Sequence, residues 1–250
     1  MSDISLVELS REFKCYAPTD PDGYYIELRF VYSEILDGDT YAQEIDRLPE
    51  DALVLDIGAN VGMFSLGVKA ARPGATVLAF EPMPRTLLAL EKNLELHGAE
   101  DVTVYPTALG TEEDSSATFT FYPQAPANST RYPEQKTLLI PLLETAMRLE
   151  VPVTTLSSVL ARRPERGTID LVKIDVEGAE LEVLRGLSEQ DWARIEAFVI
   201  EVHDVNGLLD DVCSLLTEHG YAVSPDRAPL IPEDQDMFLV HARRPVSGGN

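Results

Sequence analysis

The chain has 250 residues, 44% of them hydrophobic, and its 20 Lys and Arg stand against 43 Asp and Glu, for a net charge of −23 at pH 7. This composition is typical of an acidic globular protein with one large domain. The charge disfavours nucleic acids and anionic membranes as partners, because both are bound through clustered Lys and Arg. The densest basic cluster, Arg162, Arg163 and Arg166, is interrupted by Pro164 and Gly167, which favours a solvated loop.

Cysteine usage and the first residues predict the compartment. Cys15 and Cys213 are far apart and form no C-x-x-C pair, so we expect reduced thiols. The chain starts with polar and acidic residues rather than a secretory leader. No apolar stretch approaches the ~20 residues that span a bilayer. We therefore expect a cytoplasmic protein.

The first 50 residues differ from the remainder of the chain. They contain five of its nine tyrosines and precede the first strongly apolar run. We expect residues 1–50 to form an N-terminal cap or lid, with Tyr25 and Tyr32 in contact with the substrate.

From residue 51 onwards, short β-branched or Leu-rich runs alternate with helical periodicity. Strands are predicted at 53–57, 76–80, 102–105, 169–175, 197–203, 221–224 and 237–241. Helices are predicted at 62–71, 84–97, 178–187 and 208–219. This alternation predicts an α/β domain over residues 51–242, with a doubly wound parallel sheet and helices on both faces. Residues 243–250 are expected to form a flexible tail.

One segment interrupts the alternation. Residues 114–149 contain four prolines and the polar run Asn128, Ser129 and Thr130. We expect an irregular insertion near the substrate entrance, with Asn128 and Ser129 contacting the substrate.

The strongest local motif is VLDIGANVG at residues 54–62, in which an apolar strand leads into an acid, two glycines and a helix. Gly58 would permit a tight turn close to a ligand, and Gly62 would let the helix pack on the sheet. The dinucleotide fingerprint is absent, since it needs glycine where Asn60 and Met63 stand. Asp56 would repel a pyrophosphate and better suits the ammonium and sulfonium of S-adenosylmethionine. The predicted cofactor residues of this turn are Asp56, Gly58, Ala59, Asn60 and Gly62.

Two further segments extend this predicted cofactor site. The second strand ends in Phe80, Glu81 and Pro82, where the Glu81 carboxylate would accept hydrogen bonds from both hydroxyls of a ribose. Ala108 and Leu109, after the third strand, would lie where the adenine ring stacks.

The sequence DLVKIDVEGAE at residues 170–180 predicts a buried strand that ends in acids at the start of a helix. We expect Asp175 to face the cofactor and Glu177 the substrate. Either carboxylate could instead cap the helix.

The fifth strand ends at the same edge of the sheet. Alternation places Glu201 and His203 on one face of that strand. We predict His203 as a general base, with Glu201 or Asp175 orienting its imidazole. A purely structural histidine stays open, and so does a divalent cation held by these three side chains, although no metal is predicted.

Taken together, these motifs resemble the FkbM family of S-adenosylmethionine-dependent methyltransferases. The resemblance is carried by residues 54–63, 79–82 and 171–184, runs from about residue 24 to residue 240, and includes Glu34 and the polar run at 128–130. It implies a class I, Rossmann-like methyltransferase fold with seven strands in the order 3-2-1-4-5-7-6 and strand 7 antiparallel. It also implies methylation of a hydroxyl on a small molecule such as a polyketide or a sugar.

The expected function is therefore O-methylation of a secondary metabolite, with S-adenosylhomocysteine as the second product. Methylation of nitrogen or carbon stays open, because the cofactor motifs do not report on the acceptor atom. The acceptor could be free or tethered to an acyl carrier protein that docks on Arg131, Lys136 and Arg162. An NAD-dependent oxidoreductase is disfavoured by the broken dinucleotide fingerprint, and a non-catalytic binding module by the intact acidic motifs.

Overall fold

A computed structural model describes residues 3–38, 40–113, 115–136, 141–142, 144–163, 167–231 and 236–245 of the chain. Arg166 of the predicted basic loop and residues 246–250 of the predicted tail lie outside the described residues. In the described ranges, no helix combines the length and the apolar character needed to cross a bilayer. Cys15 is buried, Cys213 is half-buried, and both thiols are free.

The described elements follow one another in a mixed α/β order. The strands are β1 (Ile4–Glu8), β2 (Lys14–Pro18), β3 (Leu53–Ile57), β4 (Thr76–Phe80), β5 (Val102–Tyr105), β6 (Ala108–Leu109), β7 (Ser115–Phe121), β8 (Met147–Thr154), β9 (Leu171–Ile174), β10 (Ala197–His203), β11 (Ala222–Arg227) and β12 (Met237–Arg243). The helices are α1 (Ile26–Ile35), α2 (Ala42–Asp46), α3 (Met63–Ala71), α4 (Pro84–Leu96), α5 (Leu156–Ala161), α6 (Glu180–Arg185), α7 (Glu189–Trp192) and α8 (Leu208–Glu218). Two 3₁₀ turns, Pro126–Asn128 and Pro133–Gln135, lie between β7 and β8.

In the described part of the chain, the central sheet has seven strands in the order β5-β4-β3-β9-β10-β12-β11. Counted from β3 along the chain, this is the order 3-2-1-4-5-7-6, and β12 is antiparallel to both β10 and β11. The predicted fold class is confirmed. Ile57 pairs with Phe80 on one side and with Ile174 on the other, so the carboxyl ends of β3, β4 and β9 lie together at one edge of the sheet.

The central strands are buried on both faces, which explains their nearly continuous apolar sequences. In β3, Leu55 and Ile57 belong to a core that also contains Trp192 and Leu216. The intervening Val54 faces the other side of the sheet, in a separate apolar cluster with helix α3. Period-two alternation within one strand therefore supplies two helix-covered cores.

The predicted helix at 178–187 is shorter in the structure. Helix α6 begins only at Glu180, because Glu177 and Gly178 both adopt positive φ values of 60° and 106°. These left-handed conformations extend the turn between β9 and α6 and keep Glu177 out of the helix.

The N-terminal segment forms regular structure beside the central sheet. Strands β1 and β2 pair as an antiparallel hairpin, and β2 is tied to helix α4, since Asn93 accepts from the Tyr16 N–H at 2.6 Å and donates to the Tyr16 carbonyl at 2.9 Å. Helix α1 packs near α3 and lies next to the carboxyl edge of the sheet. A cap or lid role for residues 1–50 stays a prediction.

The insertion is more regular than the sequence predicts. Residues 115–121 and 147–154 are the paired strands β7 and β8, which with β6 make a small second sheet. Phe119, Phe121, Val151 and Val153 alternate along these strands and bury one face against Met83. The period-two alternation of apolar residues in these strands is visible in the sequence, but the four prolines between the strands favoured irregular structure for the segment.

Candidate active site

The carboxyl edge of the sheet opens into a cavity of about 390 Å³. Residues after β3, β4, β9 and β10 line it, together with residues of α1 and of the segment 126–129. Such an edge is where open α/β sheets bind ligands. The predicted site residues that line the cavity are Gly58, Ala59, Asn60, Glu81, Pro82, Ala108, Leu109, Asn128, Ser129, Asp175, Glu177, Glu201 and His203. Four others, Asp56, Gly62, Tyr25 and Tyr32, do not.

The glycine turn after β3 lies directly against the end of β9. Gly58 has a φ of 78°, and a Cβ atom added there would lie 1.7 Å from the carbonyl oxygen of Asp175. The next two residues continue the turn, since the Ala59 N–H donates to the Phe80 carbonyl at 2.9 Å and Asn60 has a φ of 51°. Gly62, which precedes the first residue of α3, also has a positive φ. It packs on Leu90 of helix α4, outside the cavity.

A Gly58→Ala substitution is expected to destabilise the protein strongly. The left-handed conformation alone costs a non-glycine residue about 1–2 kcal/mol, and the Cβ overlaps backbone that cannot move without separating β3 from β9. Gly98→Ala is the matched control, because Gly98 has a φ of 61° but open space around its Cβ. Urea unfolding followed by circular dichroism gives both free energies, and equal losses in the two variants would contradict the close approach.

Asp56 does not face the predicted cofactor. Its side chain is fully buried, and Oδ2 accepts a hydrogen bond from Ser65 Oγ at 2.6 Å. The ammonium of Lys173 lies 3.6 Å from Asp56 Oδ1 and 3.3 Å from Asp175 Oδ2, and it donates to the Gly58 carbonyl at 2.9 Å. Asp56 therefore pairs with the Lys173 ammonium, and Lys173 in turn stabilises the glycine turn through its hydrogen bond to Gly58.

The pKa values of this pair follow from burial. Burial raises the pKa of Asp56, and the charge of Lys173 opposes that shift. For Lys173, burial lowers the pKa, but the carboxylates of Asp175 and Asp56 outweigh it and raise the pKa above the usual value. Lys173 was missed at the sequence level, although a lysine inside the apolar run LVKI was a signal, since a buried charge needs a partner.

Glu81 is held rigidly at the cavity wall. One carboxylate oxygen accepts the Asn60 N–H at 2.9 Å, and the other accepts the Met83 N–H at 2.8 Å. The side chain is buried, and burial raises its pKa to about 7. Each carboxylate oxygen keeps a further lone pair for a ligand hydroxyl, as the predicted ribose contact requires.

Ala108 and Leu109 form β6 and are buried beside the same cavity. Phe80, Met83 and Phe119 also line this part of the cavity. The wall is therefore apolar, and stacking of an adenine ring against it stays a prediction.

His203 lies at the other end of the cavity, at the end of β10. Its Nε2 atom is 3.2 Å from Lys136 Nζ and 3.5 Å from Glu177 Oε2. Among the described residues, Nδ1 is buried without a hydrogen-bond partner. Burial lowers the pKa of His203, the charge of Glu177 opposes this shift, and Lys136 reinforces it. Glu177 and Lys136 therefore contact the imidazole, in place of the predicted Glu201 or Asp175.

Glu201 and Glu34 add two buried carboxyl groups to this end of the cavity. Burial raises the pKa of Glu201 well above its usual value, and the charges of Asp175 and Glu34 raise it further. Burial likewise raises the pKa of Glu34 to about 7. In the described ranges, no three His, Cys, Asp or Glu side chains form a group that could hold a metal ion, the trio of Asp175, Glu201 and His203 included.

Helix α1 and the 3₁₀ turn at Pro126–Asn128 meet beside the cavity. The Glu27 carboxylate accepts the Ala127 N–H at 2.7 Å and the Asn128 Nδ2–H at 2.5 Å. Burial raises the pKa of Glu27 to about 7, although both hydrogen bonds favour its charged form. The N-terminal segment and the insertion are thus joined at the place where the sequence predicts substrate contact.

The two predicted substrate tyrosines lie elsewhere. Tyr32 packs against Phe13, with 5.3 Å between the ring centroids, and its hydroxyl donates to Ser10 Oγ at 3.2 Å. The Tyr25 N–H donates to Asp20 at 2.7 Å, and the residue lines a separate cavity of about 20 Å³. Both tyrosines stabilise the N-terminal segment, because apolar rings with a hydroxyl suit a half-buried hairpin surface.

The three predicted carrier-docking residues each pair with a glutamate, and they differ in exposure. Lys136 is buried against Glu177 and His203. Arg131 pairs with Glu182 at 2.6 Å, and Arg162 with Glu113 at 3.3 Å. The prediction that Lys136 contacts a carrier protein is therefore wrong, because only 10% of its side chain is exposed.

The sheet order, the glycine turn and the carboxylate after the second core strand together define a class I methyltransferase. The family described as "Methyltransferase FkbM domain" matches residues 56–223. The chain belongs to this family and is an S-adenosylmethionine-dependent methyltransferase.

Individual relatives agree with this assignment. The chain is 35% identical to "Methyltransferase 1" of Beauveria bassiana, over 98% of this chain and 100% of the relative. It is 36% identical to "31-O-demethyl-FK506 methyltransferase FkbM" of Streptomyces tacrolimicus, over 87% of this chain and 90% of the relative. The solved structure of methyltransferase FkbM from Methylobacillus flagellatus has the same fold, with a TM-score of 0.55 and 19% identity over 78% of this chain and 44% of that one.

The charged residues that line the cavity suit S-adenosylmethionine. The acidic lining residues outnumber the two basic ones, Arg131 and Lys173, and they are Glu27, Glu34, Glu81, Asp175, Glu177 and Glu201. Burial raises the pKa of four of them, Glu27, Glu34, Glu81 and Glu201, and a ligand that carries an ammonium and a sulfonium would favour their ionised forms. Glu81 would hold the ribose and the turn at Gly58 the amino-acid end.

Proposed function

We propose that this methyltransferase transfers the methyl group to a hydroxyl oxygen of a small molecule, a secondary metabolite of the polyketide or sugar type. The observation that carries the proposal is the His203 imidazole at the end of the cavity away from Glu81. Burial lowers its pKa, which favours the neutral imidazole, and the ammonium 3.2 Å from Nε2 favours a lone pair on that atom. The Streptomyces relative is named for an O-demethyl substrate, which supports the choice of oxygen.

The chemistry needs a proton acceptor at this place. S-adenosylmethionine supplies an electrophilic methyl group on a sulfonium. A hydroxyl oxygen that takes the methyl group must give up its proton, and His203 Nε2 accepts it as the acceptor replaces the Lys136 N–H there. General-base catalysis of this kind contributes about 10²- to 10⁴-fold to the rate.

The entrance of the cavity favours an acceptor with an apolar part. Leu230, Ile231, Met237 and Phe30 line it, and Leu230 is 56% exposed. Small-molecule sites are commonly apolar with a few convergent polar groups. The polar groups here are His203 and Glu177, so the acceptor hydroxyl would bind between an apolar rim and the imidazole.

The experiment is a methyl-transfer assay with radiolabelled S-adenosylmethionine against a panel of hydroxylated polyketides, sugars and matched amines. We expect a hydroxyl acceptor to be methylated and a His203→Gln variant to lose about 10²- to 10⁴-fold in kcat. His97→Gln is the control, because His97 is exposed and ends helix α4 outside the cavity. Methylation of amines alone, or full activity of His203→Gln on a hydroxyl, would contradict the proposal.

A further inference from the structure

Lys136 is a buried lysine that no predicted catalytic role explains. Its ammonium contacts the Glu177 carboxylate and lies 3.2 Å from His203 Nε2, and both of these partners line the cavity. We propose that Lys136 is a positioning residue that holds the His203 imidazole neutral, with its lone pair on Nε2. This inference rests on the proposed function of His203 as the proton acceptor.

The segment that carries Lys136 is fixed on the turn between β9 and α6. The Thr130 hydroxyl donates to the Glu177 carbonyl at 2.6 Å. Gln135 packs so closely on Gly178 that a Cβ atom there would lie 2.8 Å from Gln135 Oε1. Lys136 is the next residue after Gln135, so these contacts position its ammonium beside Glu177 and His203.

The charges around His203 show why an ammonium is needed. Glu177, with Oε2 at 3.5 Å from Nε2, and Asp175 both favour the imidazolium form. From the neighbouring strand β12, the residue paired with His203 is the uncharged Met237. Burial raises the pKa of Glu201, on the same face of β10, which reduces the negative charge of that carboxyl group. Lys136 is therefore the charge that offsets Glu177.

The contact also fixes the tautomer. An ammonium can only donate a hydrogen bond, so its contact at 3.2 Å favours the tautomer with the lone pair on Nε2 and the proton on Nδ1. Nδ1 is buried without a partner among the described residues, which leaves Nε2 as the atom able to take a proton from an acceptor. When the acceptor hydroxyl binds to Nε2, Lys136 gives up its hydrogen bond to that atom. Its ammonium stays paired, because the Glu177 carboxylate remains in contact with it.

The test is a ¹⁵N NMR titration of the histidine imidazoles in the full chain, which has four histidines. Comparison with His203→Gln assigns the His203 signals. In the wild-type protein we expect an unprotonated Nε2 and a titration midpoint below the ordinary histidine value of about 6.5. In Lys136→Met the midpoint should move to higher pH, and Lys136→Arg should restore the wild-type midpoint.

A second variant guards against a folding defect. Glu177→Gln should move the His203 midpoint in the opposite direction, to lower pH, while the signals of the exposed His97 stay in place in every variant. An unchanged His203 midpoint in Lys136→Met, with intact His97 signals, overturns the inference. If Lys136→Met does not fold, an unchanged midpoint in Glu177→Gln overturns it instead.

The titration needs no acceptor, so it is independent of the assay that tests the proposed function. Full methyl transfer by His203→Gln would reject the base role alone. An unchanged midpoint together with an inactive His203→Gln would reject the role of Lys136 alone.

Discussion

A Lys173→Met variant is expected to lose about 3–5 kcal/mol of unfolding free energy, the usual cost of removing one partner from a buried ion pair. Lys173 is 3% exposed and lies between Asp56 and Asp175. Methionine fills a similar volume but leaves the fully buried Asp56 with only Ser65 as a partner, and it removes the hydrogen bond to the Gly58 carbonyl. Without that hydrogen bond the glycine turn should change its conformation, and S-adenosylhomocysteine should no longer bind.

Urea unfolding followed by circular dichroism measures the loss, with isothermal calorimetry for ligand binding. Lys92→Met is the control, because Lys92 forms an exposed helical pair with Glu95 that contributes little to stability. Adding Asp56→Asn to Lys173→Met should recover part of the stability, since it removes the uncompensated charge. A Lys173→Met protein that unfolds at the wild-type urea concentration would show that the ammonium does not hold this part of the fold.

The second large effect is expected at Glu81. A Glu81→Ala variant should bind S-adenosylhomocysteine about 10²- to 10³-fold more weakly, because it removes a charged acceptor of two ribose hydroxyls. It also leaves the N–H groups of Asn60 and Met83 without the carboxylate that now accepts them. Calorimetry on the wild type and the variant measures the ratio of their dissociation constants. An unchanged affinity would show that Glu81 does not bind the ribose.

The same carboxylate predicts a pH dependence of binding. Burial raises the pKa of Glu81 to about 7 in the free protein. A protonated carboxyl accepts hydrogen bonds less well than a carboxylate, so affinity should be full above that pKa and fall as the pH is lowered through it. Glu81→Gln cannot titrate, so between about pH 8 and pH 6 its affinity should change less than that of the wild type. Equal slopes in the two proteins would assign the titration to another carboxyl group of the cavity.

The fold was predictable because several strands of the main sheet can be recognised from short stretches of sequence. β3, β4, β5 and β10 occupy the predicted residues. Three of them, β3, β4 and β10, are almost completely buried, and strands buried on both faces are continuous apolar runs between turn residues. The order of the strands came from the resemblance to the FkbM family, because pairing between distant segments leaves no local pattern. The second sheet was missed for a different reason, since the four prolines that favoured irregular structure lie between its strands β7 and β8.

The candidate site was predictable where residues follow a strand. Gly58, Glu81, Asp175 and His203 each lie at or just after a strand end, and register brings such positions to one edge. Tyr25 and Tyr32 were predicted only from the abundance of tyrosine in a segment. Composition does not say which way a side chain points, and neither ring lines the cavity.

The sequence by itself determined the α/β class, the carboxyl-edge site and the cofactor motifs, because strand periodicity and glycine turns are encoded within a few consecutive residues. Only the tertiary structure decided the partners of each charge. Asp56 meets Lys173 across 117 residues of sequence, and His203 meets Lys136 across 67. A buried charge is defined by whichever opposite charge the fold brings within a few ångströms, and that distance is a property of packing rather than of neighbouring residues.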